Sequence, residues 1–202
     1  MNATRSLTFA PVIIVVACSS IGAQRRFEPR LPAPRDLQFY EPRNNLEDLE
    51  SRVQSLLIKG RTYVGTLRVV AGALRVEATE IHEAAGDAYA NGVVITFLPN
   101  ESNVPQGDIR SAIDYVEIEP LIKALDAMVK ADSSVTKLSH FELRYRTRGD
   151  FEAMIVKQLN DSVIVTIEGG FFDRTRFYLS PEELTKLRWL IAQAKDKLDE
   201  VK

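Results

Sequence analysis

Apolar and polar positions along the chain follow two rhythms that alternate twice. Leu46, Leu49 and Val53 recur at helical spacing behind Asn44-Asn45, which suits a helix N-cap. Leu56-Leu57-Ile58 either extends that helix or opens a strand. The alternation through Arg61 to Leu67 predicts a strand, Ala71-Gly72 a turn, and Ala73 to Ile81 its return. His82 to Asn91 reads as a polar loop, Gly92 to Leu98 as a third, β-branched strand, and Pro99 to Gly107 as a second loop. Ser111 to Asp114 is short and extended. Leu121, Ile122, Leu125, Met128 and Val129 then predict an amphipathic helix with Pro120 near its start.

The pattern then repeats. His140 to Thr147 alternates, Arg148-Gly149-Asp150 turns, and Phe151 to Lys157 returns as the second arm of a hairpin. Gln158 to Asp161 turns into Ser162 to Glu168, Gly169-Gly170 marks a turn or bulge, and Arg174 to Leu179 is a fourth strand. Ser180-Pro181-Glu182-Glu183 opens a helix with Ser180 as N-cap, Pro181 at the first position and Glu183 completing a capping box. Its apolar stripe is Leu184, Leu187, Leu190, Ile191, Ala194 and Leu198. The joins match: Asp114 and Glu117 in one half stand where Ser180 and Glu183 stand in the other. The expected fold is α+β, an antiparallel-rich sheet from two β-β-β-β-α halves, about 46–133 and 134–202, packed as one domain over 46–202.

Ahead of that domain the composition changes. Arg5 and the apolar run Leu7 to Ala17, followed by small residues, read as an export signal over 1–23. Cleavage after Ala23 would leave Gln24 first. Alternatively, Val15-Val16-Ala17-Cys18 resembles the bacterial lipobox, with signal 1–17 and lipidation at Cys18, the one cysteine of the chain. Residues 24–45 form a Pro- and Arg-rich linker holding Pro29, Pro32, Pro34 and Pro42, with a net charge of +2. The expected location is therefore the bacterial cell envelope, lipid-anchored through Cys18, or the periplasm or exterior.

Of 202 residues, 45% are hydrophobic, enough for an ordinary core, and the net charge is −2. One Cys and two His exclude a disulfide framework and a Cys-based zinc or iron–sulfur site. No apolar run reaches the ~20 residues of a spanning helix. His82 sits in its loop beside Glu80 and Glu83, and neither it nor His140 belongs to a metal-binding spacing. No nucleophile elbow, phosphate loop or dinucleotide fingerprint is present, so no catalytic residue, metal or cofactor is assigned. Arg148-Gly149-Asp150 spells an adhesion triplet, but Gly and Asp are what a tight hairpin turn needs. Asn100 and Asn160 head glycosylation triplets that also suit turns.

The candidate binding residues are arginines. Strand alternation sets Arg144 and Arg146 on one face of their strand, and Arg174, Arg176 and Tyr178 on one face of theirs. If these strands are neighbours, the five residues line a surface for an anionic ligand; alternatively Glu142, Glu152 and Glu168 pair with the arginines across strands. Residues 134–202 carry 12 basic and 11 acidic side chains, so the region as a whole is not basic.

The stretches Ser111 to Tyr115, Thr147 to Phe151 and Phe177 to Ser180 resemble an uncharacterised family of small exported bacterial proteins. That resemblance spans most of Leu57 to Leu198 and implies no activity. The four-strands-then-helix repeat is similar to the PUR, PC4-like and Whirly single-strand nucleic-acid binders, and implies that kind of ligand. Export and the acidic balance of residues 46–202, 20 basic against 25 acidic, speak against nucleic acid. The expected function is an exported or envelope-tethered, non-catalytic binding or accessory protein for an unknown protein or anionic ligand. The alternatives are a single-strand nucleic-acid-binding module and an enzyme using carboxylates that spacing does not pair.

Overall fold

In the first half the alternating segments form strands longer than the sequence pattern marks; in the second half they match it to within a residue at each end. In the computed structural model, residues 41–100, 109–132, 134–158, 162–170 and 174–201 are described. The export signal, Cys18 and the linker through Tyr40 lie outside them, as do most of the Pro99 to Gly107 loop and Asn160 with the centre of its turn.

The elements run in the order α1 (Asn45–Ser51), β1 (Leu57–Val69), β2 (Gly72–Glu83), β3 (Tyr89–Pro99), β4 (Ile109–Asp114), α2 (Tyr115–Val129), β5 (Phe141–Arg146), β6 (Glu152–Lys157), β7 (Val163–Gly169), β8 (Thr175–Leu179) and α3 (Pro181–Asp199). This is an α+β fold: two antiparallel four-stranded sheets, ordered β1-β2-β3-β4 and β5-β6-β7-β8, each followed by a helix. The two halves build separate sheets rather than one continuous sheet.

One alternative is decided, one expectation is corrected and one boundary is fixed. Of the two readings of Leu56-Leu57-Ile58 the strand holds: α1 ends at Ser51 and β1 opens at Leu57. The loop expected over His82 to Asn91 shrinks to the few residues between Glu83 and Tyr89. Ile81 pairs with Ala90 and His82 with Tyr89, and Leu46 and Leu49 of α1 cover Ile81 and Ala90 in a small apolar cluster. α2 starts at Tyr115, directly after Asp114 as the matching joins imply, so Pro120 lies in its second turn, on its exposed side. Its buried stripe begins at Ile118, one turn before the run the sequence marks.

Alternation divides each sheet into two faces. Leu67, Leu74, Val76, Ile95 and Ile113 of the first sheet face Ile155, Val165, Ile167 and Phe177 of the second across one shared core, into which α2 and α3 both pack. The last helix belongs to the second half by sequence, yet packs on β1, β2 and β3 of the first. The halves are therefore interlocked, and Tyr40–Lys202 forms one compact unit. Phe97 and Phe177 meet between the sheets with ring centroids 5.7 Å apart. Gly169 lies flat against Phe97, where a Cβ would overlap the ring. Arg188 of α3 grips the Asp126 carboxylate of α2 with two hydrogen bonds of 2.9 Å.

The capping box of α3 forms as its local sequence dictates. The Ser180 hydroxyl accepts from the Glu183 amide at 3.2 Å, and the Glu183 carboxylate accepts from the Ser180 amide at 2.7 Å. Ser180→Ala leaves the Glu183 amide without its cap, and urea unfolding should register a loss of about 1 kcal/mol. An unchanged midpoint would mean that water replaces the cap at no cost.

Candidate functional site

The outer face of the second sheet holds all five candidate residues, but on opposite edges. β5 and β8 are the two edge strands, with β6 and β7 between them. Register places Arg146 opposite Glu152, Glu152 opposite Glu168 and Glu168 opposite Arg176, one charged row across all four strands. The adjacent row runs Arg144, Met154, Thr166, Tyr178.

The two central carboxylates are buried and the arginines bend toward them. Glu152 lies 3.7 Å from Arg144 and 3.5 Å from Arg174; Glu168 lies 3.2 Å from Arg174 and forms an ion pair with Arg176. Arg144 also meets Glu142 at 2.8 Å, and Arg146 pairs with Asp150. A buried carboxylate must be paired or lose its charge, so these arginines are already engaged by their own sheet. Hydrogen bonds to Glu168 first, and then to Tyr178, raise the Arg176 pKa above its ordinary value.

The outer face of the first sheet is arranged differently. Its register aligns Arg61 with Thr79, Tyr63 with Glu77, Thr66 with Arg75, and Arg68 with Ala73; Arg75 continues through Thr96 to Arg110. A bulge between Tyr63 and Gly65 lets Arg61 and Arg68, seven positions apart, share this face. Arg61 and Arg68 are exposed and form no ion pair with any described residue, and Tyr63 between them is 59% exposed. The other two arginines have carboxylate partners: Glu77 lies 3.4 Å from Arg75, and Glu50 3.9 Å from Arg110. The buried Thr96 hydroxyl has no hydrogen-bond partner, and the buried Nε of Arg75 is the atom that faces Glu77 in its ion pair. Sequence reasoning passed over this face because unbroken alternation would set Arg61 and Arg68 on opposite sides.

A third polar cluster joins the halves. Asp114 stands at the N-cap position of α2, but its carboxylate does not cap that helix. It accepts instead from the amides of Asn45 at 2.8 Å and Leu46 at 3.1 Å, at the start of α1. Glu117 likewise leaves its helix and accepts from the Arg148 amide at 2.9 Å. Asn44 donates to the Ala112 carbonyl at 2.7 Å, and the Asp150 carboxylate is buried between Arg43 and Arg146. Gly149 is obligatory in this turn because a Cβ would overlap the Ala112 carbonyl oxygen. The Asp of the adhesion triplet is thus buried and engaged within the fold.

His82 stands on β2 rather than in a loop, paired with Ile58 and Tyr89. Among the described residues no three His, Cys, Asp or Glu side chains converge as metal ligands, and no helix is long and apolar enough to cross a membrane. The chain matches no protein-family model, no curated protein and no solved structure.

Proposed function

We propose that the chain is an exported, non-catalytic binding or accessory module, delivered to the bacterial envelope and held there or released by the processing of residues 1–23. The supporting observation is that exposed arginines are spread along and across one sheet face, at Arg61, Arg68 and Arg110 of the first sheet. Such a spread suits contact with a large partner surface or polymer. Arg61 and Tyr63, which share a face, favour the single-strand nucleic-acid reading as second choice.

Two experiments test the proposal. A photo-crosslinking residue placed at Tyr63 or Tyr178, both exposed, should yield adducts in intact cells from at least one position. No adduct from either position, beside a positive crosslink control, rejects a surface-binding role. The address is tested separately. If Val15-Val16-Ala17-Cys18 directs lipidation, a fatty-acid probe labels the wild type and Cys18→Ala abolishes the label and membrane association. An unlabelled protein beginning at Gln24 removes the lipid anchor and leaves export intact.

A further inference from the structure

The two sheets carry similar numbers of arginines on their outer faces, and the difference between them is pairing. On the second sheet, Glu152 and Glu168 draw in Arg144, Arg174 and Arg176, and Asp150 holds Arg146. On the first sheet, Arg61 and Arg68 have no such partner among the described residues, and Glu77 is the one carboxylate that the strands set among them in the open rows. Like charges gathered on a sheet face repel, so this arrangement costs stability that the core does not repay. We propose that the outer face of the first sheet, along β1 from Arg61 to Arg68 and across to Arg75 and Arg110, binds a linear acidic polysaccharide. This deepens the reading of the chain as a binding module and depends on it.

Shape and chemistry narrow the ligand to that class. Seven residues of strand set Arg61 and Arg68 about 20 Å apart, a span for several units of a polymer and far beyond one small anion. The face offers the exposed guanidinium groups of Arg61, Arg68 and Arg110 and the exposed Thr66 hydroxyl. These donors match carboxylates or sulfates alternating with sugar hydroxyls. A single-stranded nucleic acid would call for a series of aromatic platforms, one for each base, and among the described residues Tyr63 is the only aromatic on the face. A bilayer would call for a cluster of apolar side chains to insert, and among the described residues this face offers Leu98, 37% exposed, and Val70 in the β1–β2 turn, 94% exposed, against four arginines.

The test uses the mature chain and heparin as the probe. Wild type is compared with an Arg61→Gln/Arg68→Gln variant and an Arg144→Gln/Arg176→Gln variant, each checked by circular dichroism. The first variant should elute at clearly lower salt, and its affinity should depend on salt concentration with a log–log slope lower by about two, one for each lost contact. The second variant should elute with wild type. Tyr63→Ser should weaken retention while leaving the slope unchanged. Equal elution of the first variant with an intact fold overturns the proposal. If that variant also self-associates, the charges serve instead to guard the free edge of β1. Displacement of bound protein by single-stranded DNA at lower concentration than by heparin overturns the glycan assignment in favour of nucleic acid. A wild type that ignores heparin yet crosslinks in cells discards the glycan site and leaves the binding module standing.

Discussion

Replacing Leu187 with alanine lowers the unfolding free energy by about 2–5 kcal/mol, as deletion of a fully buried leucine does when its surroundings cannot collapse into the space. Leu187 is 0% exposed and lies mid-stripe on α3, the helix that covers β1, β2 and β3 while tethered to β8. Its loss therefore loosens the seam between the halves. Trp189, two residues on and 56% exposed, supplies the control: Trp189→Ala should shift stability by no more than about 0.5 kcal/mol. Urea unfolding of both variants decides the matter. A wild-type midpoint for Leu187→Ala would show that α3 is not part of the cooperative core.

Asp114→Ala should cost about 2–4 kcal/mol, an effect a local reading of the sequence would underestimate. The carboxylate is 3% exposed and accepts from two amides of a separate helix, 69 and 68 positions away in the chain. Leaving two such donors without an acceptor costs about 1–3 kcal/mol each, less what water recovers at the partly buried Asn45 amide. Asp114→Asn keeps one acceptor oxygen and should lose about half as much. Hydrogen exchange at the Asn45 and Leu46 amides should accelerate in both variants. Unaltered exchange would mean that Leu46 and Leu49 alone fix α1.

Asp114 and Ser180 also show what the sequence made legible. Both stand before a helix with a glutamate three positions on, and at that range they read as the same device. Ser180 and Glu183 behave so, because everything a capping box needs lies within four residues. Asp114 and Glu117 do not, because α1 and the Arg148 turn offer their amides to those carboxylates, and only the folded chain brings these donors near. The α+β class and the doubled four-strand-and-helix order were legible because each element is a local period. The arginine surface was legible only as a face of each strand. Which strands adjoin is a matter of topology, and it put β5 and β8 on opposite edges. The first sheet's arginines stayed hidden behind a single bulged residue between Tyr63 and Gly65 that inverts the alternation.

The fastening at Arg43 and Asn44 has a mechanical consequence. Any tension arriving from the preceding residues enters the folded unit there, through the ion pair to Asp150 in the β5–β6 turn and the hydrogen bond to the Ala112 carbonyl on β4. The load is thus divided between both halves at their junction. It does not first reach β1, whose hydrogen bonds to β2 would otherwise open one after another like a zipper. The folded unit is gripped where its halves meet, and the long β1–β2 hairpin is spared the pull.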